Sequence, residues 1–305
     1  MQECRVRLVD AFTTEPLGGN PAGVVAEAAE LTAAQMQAVA RELGASETAF
    51  LGPSEVADRR IRFFSPTQPV ELCGHATVAS VSLMGAEGVF DPGRYTLETD
   101  AGILDVELAE DGRVWMDQPA ASTERLAGQA PDLETLAELL GVQLAGLTEI
   151  GTELPVGLAS TGLRFLLVPV AFLTHLGELE PRLDGLNALC DRLDAAGTLV
   201  YSFDTLEAAS TLHGRVFAPG LGVPEDPVTG MAAGAVAAYL DAVGAIDEQT
   251  LRIEQGDFLE RAGRIDVELP PAPSVDGVRV GGHAVTSMEG RLQVPPSDEQ
   301  RILEG

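Results

Sequence analysis

Apolar and polar residues alternate from Arg5 to Phe12, a period of two that predicts a first strand. A Gly-Gly-Asn-Pro cluster then forces a turn before a second short apolar strand. Leu31 to Leu43 has helical spacing, with Thr32 placed to cap its start and Gly44 to end it. Strands are predicted at residues 49–51 and 59–64, a helix from Ala76 to about Met84, and further strands at 95–99, 103–108 and 114–117. The helix is apolar nearly all round, so protein must surround it, and a curled antiparallel sheet is the economical wrapping. Periodicity is lost over residues 118–129, QPAASTERLAGQ, which read as a linker. Beyond them the pattern gives a helix at 132–140, strands at 154–159 and 164–168, a helix at 183–195 and a strand at 197–203.

One pattern occurs twice. Arg62 opens RFFSPTQPVELCGHAT and Arg215 opens RVFAPGLGVPEDPVTG, each an Arg-x-Phe-x-Pro strand, a loop, a Gly and an apolar helix. Gly74 to Glu98 and Gly230 to Glu254 are both 24 residues apart, and each unit closes on a Gly turn followed by Asp-Val-Glu-Leu. Four features in the same order indicate one structural unit used twice. The fold class expected is α+β: two pseudo-symmetric domains, each a curled, mostly antiparallel, barrel-like sheet around a central apolar helix. Their expected bounds are 1–118 and 119–285, with a C-terminal strand near 286–305 packing back on the first.

The 305 residues suit two domains of roughly 150 each. Three cysteines, an odd count, argue against a disulfide scaffold, and no His, Cys and acid residues fall at metal-ligand spacing along the chain. There is no apolar run of about 18 residues and no signal-like start, so a cytoplasmic protein is expected. The 47 acids stand against 19 bases, every one Arg, for a net charge of -28. That charge excludes nucleic acid and anionic membrane as ordinary partners. It also suggests salt adaptation, the alternative being the composition of a GC-rich genome.

Candidate chemistry gathers at the two loop-helix junctions. A helix start carries unpaired N–H donors and a partial positive charge, so the segment from Gly74 to Thr77 is a seat for a carboxylate. Cys73 beside it is a reactive thiol or a buried small hydrophobe, the second being the favoured reading. Glu47 lies between a helix end and a strand, among small and apolar neighbours that would shelter its carboxyl for acid-base work. Asn20 is a turn residue or an amide offered to a ligand. Asp226, ahead of Thr229-Gly230, is a helix cap or an ionisable group facing the second seat.

The stretches at 9–25 (VDAFTTEPLGGNPAGVV), 46–51 (SETAFL), 62–77, 224–240 (PEDPVTGMAAGAVAAYL) and 280–292 (VGGHAVTSMEGRL) resemble the phenazine biosynthesis PhzF-like family, of diaminopimelate epimerase-like fold. They span the chain in the family's order. The resemblance implies an active site between two pseudo-symmetric domains, with Glu47 as catalytic acid-base, His75 and Asp226 as its catalytic partners, and the amides at Gly74-His75 and Gly230-Met231 holding a substrate carboxylate. Met231 departs from the Ser that many members carry there. A two-thiol mechanism, used by epimerase relatives, is disfavoured because the second loop offers Asp226. The reaction expected is a cofactor-independent isomerisation of a small carboxylate, with no nicotinamide and no metal, in a chain that could form a homodimer. The alternatives are a racemase or epimerase using Cys73, and a non-catalytic small-acid-binding protein.

Overall fold

The computed structural model describes residues 2–126, 132–148, 154–270 and 277–296. By its internal contacts the chain forms two units, Met1–Met116 with Gly281–Gly305, and Asp117–Val280. In the first, β1 (Gln2–Ala11) pairs antiparallel with β2 (Asn20–Val25), and β2 pairs parallel with β3 (Glu47–Gly52). The helix α1 (Ala33–Leu43) makes that parallel crossover. Strand β3 pairs antiparallel with β4 (Arg59–Phe64), on which the two-residue β5 (Pro69–Val70) folds back. After α2 (Gly74–Ala86), β6 (Gly93–Thr99) lies parallel to β4, and β7 (Gly102–Leu108) and β8 (Val114–Asp117) continue as a meander.

The second unit repeats the pairing. It opens with β9 (Ser122–Arg125), α3 (Leu133–Leu140) and α4 (Leu144–Thr148). Then β10 (Gly157–Ser160) runs antiparallel to β11 (Arg164–Pro169), and β11 parallel to β12 (Gly197–Ser202) across α5 (Leu173–Gly177) and α6 (Leu183–Leu193). Strand β13 (Leu212–Ala218) pairs antiparallel with β12 and with the short β14 (Val223–Asp226). Past α7 (Gly230–Val243), β15 (Thr250–Gln255) lies parallel to β13 and antiparallel to β16 (Gly263–Glu268). Strand β17 (Arg279–Gly282) leads to β18 (Ala284–Val294), which pairs along the whole of β1. The strand pairing is therefore mixed, with β2–β3 and β4–β6 parallel in the first unit and β11–β12 and β13–β15 parallel in the second, and the α+β class holds.

Two differences from the sequence reading have clear causes. Residues 122–125, inside the segment read as a linker, form β9 on the edge of β10, and all four are exposed. An edge strand with no buried face shows no hydrophobic alternation, so periodicity could not reveal it; residues 127–129 of that segment lie outside the described residues, as do 297–305 of the expected C-terminal strand. Within the loop before α7, Pro219–Leu221 forms a 3₁₀ turn and β14 pairs with β13, both too short for a period to register.

Local chemistry explains the helices. Thr32 and Gln35 form a reciprocal capping box at α1, and Gly44 ends it at φ 68°. Helix α2 is buried from Ala76 to Val81 and again at Leu83 and Met84, against β1, β2, β3, β7 and β18. Its Val78 and Val81 are fully buried, each contributing about 1.5–3 kcal/mol. Its two buried hydroxyls, Thr77 and Ser80, donate to the carbonyls of Cys73 and Ala76, both at 2.7 Å, so no polar atom of theirs is stranded. Helix α7 packs likewise against β9, β10, β11 and β16. The repeated Arg-x-Phe is structural, because Arg62 stacks over Phe64 and Arg215 over Phe217, both 5.2 Å from the ring centroid.

The repeat also pairs Arg60 with Glu98 in one unit and His213 with Glu254 in the other, each across the parallel strands. Arg60 and Glu98 are partly exposed, whereas His213 and Glu254 are fully buried. His213 Nδ1 lies 2.9 Å from Glu254, whose carboxylate also accepts the N–H groups of Leu206 and Glu207. Burial holds His213 below the ordinary imidazole range, against the pull of Asp257 and Glu254. Burial works to raise Glu254, but the Leu206 and Glu207 amides prevail and bring it below the usual carboxylate range. The unfolded chain therefore gains a proton at His213 near pH 6.5 that the folded chain refuses, and stability falls as pH drops below that. Glu254 adds a further loss only below the normal carboxylate range. We expect the urea midpoint to fall from about pH 7.5 to about pH 5.5, and to fall less in His213→Asn; equal slopes in both proteins would contradict this assignment.

Candidate active site

Glu47 is the first residue of β3, and Cys73 and His75 flank Gly74 at the start of α2, which packs against β3. His75 Nε2 stands 3.4 Å from Glu47 Oε2 and 3.3 Å from Ser46 Oγ, while its Nδ1 is 3.4 Å from Cys73 Sγ. Strand β2 enters beside β3 in parallel, with Ala22 opposite Glu47, so Asn20 lies two residues further along the same sheet end. The loop before Asn20 holds Phe12 at φ 63°, Leu17 at φ 70° and Gly19 at φ 54°, an arrangement that costs of order 1–3 kcal/mol at each non-glycine position. Asp10, itself buried, fixes this loop by accepting the Leu17 N–H at 2.7 Å.

The N-cap of α2, Cys73, makes no side-chain cap bond. The first-turn amides of α2 thus keep their donor capacity beside the cluster, together with the positive end of the helix dipole. A carboxyl group, an imidazole and a set of N–H donors around one point can hold an anion and move a proton to or from a neighbouring atom. Glu47, Cys73 and His75 also form, among the described residues, a donor group whose ligand atoms lie within 4.8 Å of one another, but the imidazole stands between the other two, so no one ring nitrogen faces both and the group does not fit a shared metal ion. A spacing scan along the chain could not see it, because β3 and α2 are distant in sequence.

In the second unit, Asp226 ends β14 and Thr229 is the N-cap of α7, again without a side-chain cap bond. Asp226 is therefore not the helix cap; its carboxylate accepts the Thr229 hydroxyl instead. Gln255, buried, braces the junction: its amide oxygen accepts the Thr229 N–H at 3.0 Å, and its amide nitrogen donates to the Asp226 carbonyl at 2.8 Å. Glu225, the neighbouring acid, is taken by Arg215 in a two-point contact, both bonds 2.8 Å. The carbonyls of Gly230 and Met231 accept from Gln118 and Thr161, leaving their amides on the opposite, N-terminal side of the turn.

The structure thus brings Glu47, Cys73, Gly74 and His75 together in one unit, with Asn20 on the same sheet, and Asp226, Gly230 and Met231 together in the other. Glu47 is less sheltered than its apolar neighbours suggest, its side chain 22% exposed, because it sits at the strand's first position rather than inside it. Cys73 is buried, as the favoured reading has it, yet its sulfur faces His75. Sequence reasoning misses Ser46 and Gln255. Ser46 lies within the motif around Glu47, and Gln255 follows the Glu that marks the repeat, but nothing in their residue type signals a bracing role.

No helix among the described residues is long and apolar enough to cross a membrane. The family model for phenazine biosynthesis-like proteins matches residues 9–290. The chain is 36% identical over 306 residues to the uncharacterized isomerase YfhB of Bacillus subtilis, covering 99% of each chain. It is 33% identical to the trans-2,3-dihydro-3-hydroxyanthranilate isomerase of Pseudomonas aeruginosa, over 94% of this chain and 98% of that one. The crystal structure of a PhzF-family phenazine biosynthesis protein of Bacillus anthracis superposes with a TM-score of 0.87 at 32% identity, covering 96% of this chain and 100% of that one. A match this long, with the fold and the sequence in agreement, means that the chain belongs to the phenazine biosynthesis-like family and is an isomerase.

Proposed function

We propose that this isomerase moves a proton on a small carboxylate metabolite without a cofactor, with Glu47 as the proton carrier. The observation that carries the reading is Glu47 Oε2 at 3.4 Å from His75 Nε2, beside the start of α2, whose N-cap side chain makes no cap bond. In this reading the substrate carboxylate takes the amides of Gly74 and His75, and those of Gly230 and Met231 are a like seat in the second unit. Negative charge spreading from carbon onto the carboxylate or a conjugated system is then met by fixed N–H dipoles. Glu47 removes a proton from carbon and returns it to another, while His75 orients the carboxyl. Asp226, held by Thr229 and Gln255, is assigned to substrate positioning, and Asn20 lies where its amide can reach a polar substituent.

The relative from Pseudomonas aeruginosa points to cyclic, unsaturated, hydroxylated acids as the class to try first. The test is conversion of a panel of such acids by the purified chain with nothing added, followed by NMR. A shifted double bond in at least one of them is expected. Binding across the panel with no conversion would favour a protein that only binds small acids. A second reading, a racemase or epimerase, is kept because Cys73 Sγ lies 3.4 Å from His75 Nδ1 and could act as a base.

A further inference from the structure

The His75 ring stands between two side chains of different chemistry. Its Nδ1 is 3.4 Å from Cys73 Sγ, which lies farther, 3.9 Å, from Nε2. Nε2 in turn is 3.4 Å from Glu47 Oε2 and 3.3 Å from Ser46 Oγ. Which nitrogen of a neutral imidazole carries the proton is set by what each of them faces. A carboxylate only accepts, and Glu47 must begin as one if it is to take a proton, so the ring N–H belongs on Nε2. The Ser46 hydroxyl donates or accepts as required and does not decide the matter. Nδ1 is then a lone pair, and the group opposite it is the Cys73 S–H, a weak donor facing a good acceptor. The helix makes no use of that sulfur, because Cys73 is the N-cap of α2 without a side-chain cap bond.

We propose that Cys73 is a positioning residue: its thiol donates to Nδ1, holds His75 in the Nε2–H tautomer and keeps water from Nδ1. The role rests on the reading of Glu47 as proton carrier, whereas the tautomer can be observed without it. Both groups are well covered, Cys73 being 6% exposed and the His75 side chain 11%. The thiol matters most while Glu47 holds the proton, since a protonated carboxyl no longer draws the ring N–H to Nε2. Were Nε2 a lone pair at that moment, it would take the carried proton, and the ring would release another from Nδ1 to solvent. The substrate's own hydrogen would then be lost. With S–H on Nδ1 and N–H on Nε2, the ring neither accepts that proton nor passes one on, and Glu47 returns it to carbon. Cys73 and His75 thus end the cycle with the protons they began with. In the racemase reading the order is reversed, with Cys73 as thiolate and the hydrogen on Nδ1.

The experiment is nitrogen-15 NMR of the imidazole rings in the substrate-free chain at about pH 8, where an ordinary imidazole is neutral. Of the four histidines, His75 is identified by the signals that vanish in His75→Gln. Wild type is expected to carry hydrogen on Nε2 and none on Nδ1. Glu47→Gln should show the same, because the thiol holds the ring when no carboxylate draws on Nε2. Adding Cys73→Ala to Glu47→Gln should mix the two tautomers and bring the two nitrogen shifts together, and Cys73→Ser in its place should restore the single form. Should Cys73→Ala disturb the fold by circular dichroism, Cys73→Val, which keeps bulk and removes the donor, carries the same comparison. Hydrogen on Nδ1 in wild type, alone or together with Nε2, or a spectrum indifferent to removal of the thiol, would overturn the proposal. For an acid turned over in deuterated water, the share of substrate hydrogen retained should fall toward zero in Cys73→Ala and recover in Cys73→Ser. Retention unchanged in Cys73→Ala would overturn the role even with the tautomer confirmed. Failure of the isomerase reading is seen separately, as absence of conversion, and does not alter the spectra.

Discussion

Replacing Glu47 by Gln is expected to remove turnover, with kcat falling by about 10²–10⁴-fold, the usual worth of a general acid-base group. The substitution keeps the shape of the side chain and its place at the start of β3, so the pairing of Ala22 with position 47 and the packing of α2 should survive. Carboxylate binding should survive as well, since the seat proposed for it is made of backbone amides. Cys73→Ala should cost far less, because in this account the thiol neither carries the proton nor binds the anion. Equal losses in the two variants would shift the assignment to the thiol-based racemase. Binding of a substrate acid, followed calorimetrically, separates a lost proton carrier from a lost fold.

The second large effect concerns the whole surface. With 47 acids against 19 arginines, the folded chain is compressed against its own charge. Raising potassium chloride toward 1 M shortens the screening length to about 3 Å and relieves that repulsion. Each kcal/mol relieved should raise the melting temperature by about 2–4 °C for units of this size. Salt also weakens exposed ion pairs such as Arg5 with Glu289, but these contribute little, and the part-buried pair of Arg215 with Glu225 is screened far less. The net expectation is a melting temperature that climbs steeply from millimolar to molar salt. A flat response would leave base composition as the reason for the missing lysines.

What could be read in the sequence was what repeats or caps. The duplicated loop-helix unit disclosed both central helices and the matching positions Glu98 and Glu254, and Thr32 with Gly44 marked the ends of α1. What escaped was set by tertiary contact. Strand β9 has no buried face to imprint a period, and α5 is too short to show one. The fully buried His213–Glu254 pair and the partly exposed Arg60–Glu98 pair occupy matching register positions, and how deeply each is covered is set by the chain packed around it. Glu47, Cys73 and His75 could be named singly, but their convergence depends on how α2 seats against β3. Gln255 illustrates the same limit, since an amide that braces a loop looks in sequence like any other polar residue.

The central claim is that one carboxyl group both takes the proton and gives it back. Turnover of a converted acid in deuterated water tests this directly, with the product analysed by NMR and mass spectrometry. A single carrier that stays close to the bound anion exchanges with solvent slowly enough to return part of the substrate's own hydrogen. The account predicts partial retention of that hydrogen, delivered to a different carbon, with a double bond moved. Full solvent label at the original carbon with inversion of configuration would show two opposed bases and contradict it.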